Sequence, residues 1–152
     1  MQFGYGLHWA LLGFLLSLCG AATAVESAYK VGVLYWSMSI PGQVAMRQGL
    51  EAEARRINEQ APRTGARGVV LLPEVAGDGV DGVERQIRQM QAMVAARPDI
   101  IVVQPSDNAA LAAPLKAANA AGIPVVAYDQ YISGGKLASY VKIGRASCRE
   151  RV

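Results

Sequence analysis

Residues 99–130 read DIIVVQPSDNAALAAPLKAANAAGIPVVAYDQ, and this stretch decides the fold class. The apolar runs 100–103 and 124–128 have the length and the β-branched content of buried strands. The alanine-rich segment between them carries apolar residues at helical spacing, namely Leu111, Leu115 and Ala118. A strand, a helix and a second strand in this order predict a parallel βαβ unit with a right-handed crossover.

The same alternation extends in both directions along the chain. The runs 30–35 and 68–72 predict two earlier strands, and residues 137–141 predict a fifth. Helices are expected between them, with apolar residues at helical spacing at Met46, Leu50, Ala54 and Ile57 and again at Val83, Ile87, Met90 and Val94. Continuously apolar strands separated by helices predict an α/β fold, a doubly wound parallel sheet in a three-layer α/β/α arrangement.

Ligands of such sheets bind beyond the carboxyl ends of the strands. This rule selects four loops, at 36–43, 73–79, 104–108 and 129–135. They combine hydroxyls, amides and carboxylates with aromatic rings, a mixture that suits a polyhydroxylated molecule. The candidate ligand-binding residues are Trp36, Ser37, Ser39, Gln43, Asp107, Asp129 and Gln130. Asp107 has a second interpretation, because Ser106 or Asp107 is also expected to cap the third helix.

Composition excludes several other classes of protein. The 152 residues are 52% hydrophobic and 18% charged, which is typical of a folded domain and not of a disordered chain. Two cysteines exclude a disulfide scaffold, and a single histidine, His8, leaves no Ser-His-Asp triad. No dinucleotide-binding or P-loop motif follows a strand, so we expect no catalytic residues, no cofactor and no metal. Residues 25–142 carry 12 Lys/Arg against 11 Asp/Glu, so no basic patch predicts a nucleic-acid partner.

Both ends of the chain are expected to lie outside the folded domain. Residues 1–24 contain an apolar run at 9–18 and end in an A-x-A site, which predicts a cleaved secretory signal peptide. Cleavage would leave the protein in the periplasm without a stable membrane span, and a retained amino-terminal anchor is the alternative. Residues 143–152, IGRASCRERV, resemble the translation of a sequencing adapter codon by codon. We therefore expect a non-native tail, an interruption of the gene near Lys142 and an incomplete domain over 25–142.

Two stretches carry a resemblance to a known family. They are YKVGVLYWSMSIPGQVAMRQGLEAEA at 29–54 and the segment 99–130. Together they resemble the amino-terminal lobe of type I periplasmic sugar-binding proteins, and the ribose-binding-like branch is the most similar. In that family the aspartate after the fourth strand binds sugar hydroxyls, which implies this role for Asp129. The next family position is often arginine, and here it is Gln130. Residues 39–43 lack the pair of phenylalanines that the family often carries in this loop. Trp36 or Tyr35 is therefore expected to supply the aromatic face.

The resemblance implies the periplasmic solute-binding component of an ABC importer. Such proteins hold a sugar or similar polyhydroxylated molecule between two lobes and deliver it to an inner-membrane permease. Because the chain would supply only part of one lobe, we expect it to bind its ligand very weakly or not at all. A periplasmic sensor that presents a sugar-like signal to a histidine kinase or chemoreceptor is the alternative. The effector domain of a LacI-type regulator would need a helix-turn-helix before the first strand, where the sequence has an apolar segment instead.

Overall fold

The computed structural model describes residues 27–142. Within them lies a sheet of five strands in the order β2-β1-β3-β4-β5, and every neighbouring pair is parallel. The elements in chain order are β1 (Tyr29–Tyr35), α1 (Pro41–Thr64), β2 (Val69–Val75), α2 (Gly82–Ala96), β3 (Ile100–Val103), α3 (Ala112–Ala120), β4 (Val125–Tyr128) and β5 (Ser139–Val141). The predicted α/β fold and its doubly wound parallel sheet are confirmed.

Helices cover both faces of this sheet. The main apolar core lies on the face covered by α2 and α3, where Met90 and Leu115 pack among the inward side chains of β3 and β4. Helix α1 lies on the opposite face, where Leu50 and Ile57 approach Val102. Both faces of β3 are therefore covered by apolar side chains, which explains why its sequence is an unbroken apolar run.

Strand β2 is longer than the sequence predicts. A loop was expected to begin at Pro73, but β2 continues to Val75, so that boundary is wrong. Proline removes a ladder donor and is therefore tolerated mainly in edge strands. Strand β2 is the outermost strand on its side of the described sheet, with β1 as its neighbour. Because β2 continues to Val75, the loop after β2 begins later in the chain than the sequence predicts.

The expected ends of two helices also change. Helix α1 runs beyond Ile57, the last of its predicted apolar positions, through Pro62 to Thr64, and it ends before Gly65 at φ 67°. Helix α3 begins at Ala112, later than expected. The residue predicted as a possible cap, Asp107, instead accepts hydrogen bonds from backbone N–H groups in the turn that precedes α3. Asp107 therefore caps this turn and not the helix itself.

The predicted signal peptide at 1–24 and the predicted non-native tail at 143–152 lie outside the described residues. Between residues 27 and 142, no helix has the length and apolarity that a membrane crossing requires.

Candidate functional site

The loops that follow β1, β3 and β4 meet at Gln104. This residue comes directly after β3, and its side chain is fully buried. Its Nε2 donates a hydrogen bond to Asp129 Oδ2 at 3.1 Å. Its Oε1 accepts a longer one, of 3.5 Å, from the backbone N–H of Trp36. One buried amide therefore connects two of the predicted ligand-binding residues, although the sequence analysis did not select Gln104 itself.

Asp129 adopts an unusual backbone conformation at the end of β4. Its φ is 65°, in the left-handed region that side chains other than glycine rarely adopt. Its backbone N–H donates to the carbonyl oxygen of Val141 at 2.9 Å, and its own carbonyl accepts from the Tyr140 hydroxyl at 3.2 Å. Contacts from β5 and from Gln104 therefore hold the strained residue in place. Strained residues fixed in this way are concentrated at functional sites.

A second group of polar contacts joins the loops after β1 and β2. The Ser37 hydroxyl accepts a hydrogen bond from the backbone N–H of Ser39 at 3.1 Å, and the two hydroxyls lie 3.1 Å apart. The Ser39 hydroxyl donates to the carboxylate of Asp78. Hydrogen bonds from Ser37 and then Ser39 lower the pKa of the Asp78 carboxyl. Ser37 is fully buried, so it shapes this loop from within, whereas Ser39 is exposed.

The loop that carries Asp78 is itself held from α2. Arg85 Nη1 donates to the carbonyl oxygen of Ala76 at 2.7 Å, and the same guanidinium pairs with Asp81. Gly82 lies directly against the carbonyl of Gly77, where a Cβ atom would overlap the backbone. These contacts fix the position from which Asp78 receives its serine hydrogen bonds.

A second buried glutamine, Gln86 of α2, fixes the loop after β3. Its Nε2 donates to the carbonyl oxygen of Gln104 at 2.7 Å. Its Oε1 accepts from both the backbone N–H and the hydroxyl of Ser106, each at 2.7 Å. The sequence offered one signal for this role that was not used. Gln86 lies four residues before Met90, on the face of α2 that the helical spacing already predicted to be buried.

The remaining predicted ligand-binding residues differ in how accessible they are. Trp36, Asp107 and Gln130 are half-buried at the carboxyl edge of the sheet. Gln43, in the first turn of α1, is only 5% exposed, and its Oε1 has no hydrogen-bond partner among residues 27–142. The structure thus brings Trp36 and Asp129 together through Gln104, whereas Gln43 lies beneath the surface of the described lobe.

Two tyrosines end strands on the face of the sheet covered by α1. Tyr35 and Tyr128 are buried, and neither hydroxyl has a hydrogen-bond partner within residues 27–142. Burial is the main cause that raises the pKa of both phenols, so both stay neutral. The Arg47 guanidinium lies 5.1 Å from the centroid of the Tyr35 ring. Tyr35 therefore offers no free ring face, which leaves Trp36 as the aromatic candidate from the first loop.

Residues 27–142 contain no group of three or more His, Cys, Asp or Glu side chains that could hold a metal ion.

A protein-family comparison matches residues 31–145 to the periplasmic binding protein domain. The ribose import binding protein of Bacillus subtilis is 24% identical over 117 residues, which cover 76% of this chain and 34% of that protein. Among solved structures, the Caulobacter myo-inositol binding protein bound to myo-inositol is 28% identical, with a TM-score of 0.54, over 77% of this chain and 36% of that chain. A solute binding protein from Actinobacillus succinogenes with bound D-allose is 25% identical, with a TM-score of 0.53, over 69% of this chain and 32% of that chain.

The chain spans about a third of the length of these relatives. The matched residues include all five strands and all three helices described above, apart from the first two residues of β1. The doubly wound parallel sheet agrees with the type I architecture expected from the sequence. On the strength of this match, the chain belongs to the periplasmic binding protein domain family.

Proposed function

We propose that the chain forms part of the amino-terminal lobe of a periplasmic solute-binding protein that captures a sugar or a similar polyhydroxylated molecule. The observation that carries this proposal is the Asp129 carboxylate, held at the carboxyl edge of the sheet by the neutral amide of Gln104. A carboxylate with one oxygen held by a neutral amide can still accept hydrogen bonds from ligand hydroxyls at its other oxygen. The named ligands of two similar structures, myo-inositol and D-allose, are polyols of this kind.

The surroundings of Asp129 support the same class of ligand. Trp36 and Gln130 are half-buried beside it, so one offers ring surface and the other an amide that both donates and accepts. On the far side of β1, Ser39 and Asp78 add a hydroxyl and a second carboxylate. Asp107 uses one carboxylate oxygen to cap a turn and keeps the other for a ligand. This arrangement supports ligand binding without chemistry, and we propose no enzymatic activity.

The proposed setting follows from the family. We propose that the complete protein is exported to the periplasm, closes a second lobe over the ligand and delivers it to an ABC permease in the inner membrane. In two-lobed binding proteins, each lobe supplies part of the ligand contacts and hinge closure completes the site. A single lobe should therefore bind its ligand with millimolar and not micromolar affinity.

Nuclear magnetic resonance can test this proposal on the chain as it stands, because it detects millimolar binding residue by residue. Backbone amide shifts would be followed while D-ribose, D-allose, D-glucose and myo-inositol are added, with leucine and succinate as non-polyol controls. We expect at least one polyol to shift the amides of 36–39, 78, 107 and 129–130 and to leave those of the opposite sheet edge unchanged. A response to leucine or succinate alone, or no polyol response at these positions, would overturn the proposal.

A further inference from the structure

We propose that Gln104 and Gln86 are positioning residues, which set the direction of the Asp129 carboxylate without touching the ligand. This inference rests on the proposed function, because it concerns how the proposed ligand-binding carboxylate is held. Gln104 and Gln86 are both fully buried, so neither reaches a molecule bound at the surface of the described lobe.

The chemistry of its partners fixes the orientation of the Gln104 amide. The backbone N–H of Trp36 can only donate, so it must face Oε1. An ionised carboxylate can only accept, so Asp129 must face Nε2. Reversing the amide would place two acceptors against each other at one end and two donors at the other. Gln104 therefore presents one donor to Asp129 in one direction.

Strand register places Gln104 between two tyrosines. Leu34 pairs with Val103 and Val103 pairs with Ala127, so the next row across β1, β3 and β4 consists of Tyr35, Gln104 and Tyr128. Both tyrosines are buried. The Gln104 side chain is itself fully buried, and a hydrogen bond to a charged group is strengthened where water is excluded.

Gln86 extends this arrangement from the loop back into α2. It binds the backbone of Gln104 and both donors of Ser106, so the segment that carries Gln104 is held on either side of Pro105. A buried amide left without partners is destabilising, so the contact from Gln86 to the Gln104 carbonyl oxygen stabilises this segment. A continuous series of hydrogen bonds thus runs from α2 through Gln104 to Asp129.

This series has a consequence for the ligand. The Gln104 amide donates a hydrogen bond to Asp129 Oδ2, whereas Oδ1 has no hydrogen-bond partner among residues 27–142. The ligand should therefore reach the carboxylate mainly through Oδ1. Gln104 then determines which hydroxyl of a bound ring faces Asp129, because it fixes the plane of the carboxylate.

The variant Gln104→Glu tests this role, because it replaces the side-chain NH2 group of residue 104 with an oxygen. It keeps an acceptor for Trp36 and removes the donor to Asp129, so two carboxylates then face each other. Burial and the neighbouring negative charge raise the pKa of the new carboxyl above that of an ordinary glutamate, so it takes up a proton as the solution is acidified. Once protonated, it donates to Asp129 and restores the contact. We expect polyol binding to weaken about tenfold near neutral pH and to recover in acid, whereas the unchanged protein shows no such recovery.

Three titratable groups besides Asp129 could contribute to this pH dependence, and none of them does so. Tyr35 and Tyr128 face the new carboxyl from β1 and β4, and both remain neutral because burial raises their pKa values. Arg47 of α1 lies over the Tyr35 ring and remains charged throughout, since its pKa is raised by Glu51. The pH dependence then reports the carboxyl introduced at 104.

Two further variants make the result decisive. Gln86→Glu keeps the acceptor for Ser106 and removes the donor to the Gln104 carbonyl, so a smaller loss of polyol affinity is expected. Gln91→Glu makes the same change at an exposed site on α2 and should alter nothing. Binding by Gln104→Glu that equals the unchanged protein, or a loss that acid does not reverse, would contradict the positioning role.

A measurement on the unchanged chain covers the case in which Gln104→Glu does not fold. The Gln104 side-chain amide protons should shift as Asp129 is titrated with acid, because Nε2 donates to that carboxylate. Amide protons that ignore this titration would also refute the proposal. Failure of the proposed function looks different: no polyol would bind even the unchanged chain, while the Gln104 amide would still follow Asp129.

Discussion

The backbone N–H of Asp129 donates a hydrogen bond to the carbonyl oxygen of Val141 across 2.9 Å, which ties the loop after β4 to the outermost strand on that side of the described sheet. Tyr140 strengthens this tie through its hydroxyl. A local turn, in which the Gln130 N–H donates to the Tyr128 carbonyl oxygen at 2.8 Å, and these contacts from β5 together hold the left-handed backbone of Asp129. A residue held in this way keeps its conformation when its side chain is changed.

This relationship predicts different stabilities for two substitutions at Asp129. Asp129→Gly and Asp129→Ala both remove the carboxylate, and both should abolish the polyol-dependent amide shifts. Only alanine retains a Cβ at φ 65°, so Asp129→Ala should be less stable than Asp129→Gly by about 1–2 kcal/mol. Urea unfolding of the two variants measures this difference directly. Equal stabilities would mean that the loop relaxes and that these contacts do not hold the conformation.

The serine contacts of Asp78 predict an acid-dependent change in the first loop. Because the pKa of Asp78 is lowered, its contribution to stability is fully present above the ordinary carboxyl pKa and is lost as the pH falls through the lowered value. Ser39→Ala should raise this pKa toward the ordinary value. Carbon NMR of the carboxyl group follows the titration. The exposed Asp99, which accepts from the Lys30 backbone and is remote from these serines, serves as the control carboxyl in the same spectrum. An unchanged Asp78 titration in Ser39→Ala would show that the contact is absent in solution.

Close packing predicts that Gly82 cannot be enlarged. In Gly82→Ala, the new methyl group overlaps the Gly77 carbonyl oxygen, which belongs to the backbone and cannot rotate away. We expect a loss of about 1–3 kcal/mol of stability. Gly49→Ala is the matched control, because nothing lies within 4 Å of its added Cβ on α1. Alanine there should stabilise the chain by about 0.5–1 kcal/mol. Thermal unfolding of both variants gives the comparison, and a stable Gly82→Ala would be inconsistent with the described loop.

The exposed edge formed by β5 predicts self-association of the chain. Tyr140 and Val141 are exposed there, and strand edges of this kind readily pair with other chains. Val141→Lys places a charge on the edge and should reduce association, as measured by sedimentation. Val80→Lys makes the same change at a fully exposed loop residue remote from the sheet edge. If both lysines reduce association equally, net charge and not the β5 edge is responsible.

The fold could be predicted because its signals are local. Each strand interior is a short apolar run, and each helix has its own spacing, so the order of elements follows directly from the sequence. The same holds for the four loops at the carboxyl edge, which parallel pairing alone brings together. For the end of β2, the cause of the wrong boundary lay in strand order. Pro73 was expected to end its strand, and only the edge position of β2 makes it compatible with pairing.

The buried glutamines could not be predicted with the same rules. Gln104 was placed in the loop at 104–108 but not among the candidate residues, because its role depends on Trp36 and Asp129, which lie 68 and 25 residues away in sequence. Gln86 would be assigned to a polar helix face by composition, although its spacing from Met90 places it inward. Both roles depend on which strands are neighbours in the sheet, and the strand order cannot be derived from a single sequence by these rules.

Because the proposed site lies along a single sheet edge, it can contact only one side of a bound sugar ring. Epimers that differ at a carbon turned away from Asp129 present identical hydroxyls to this surface and should be bound equally well. Stereochemical discrimination at those carbons must then come from groups that approach from the opposite direction.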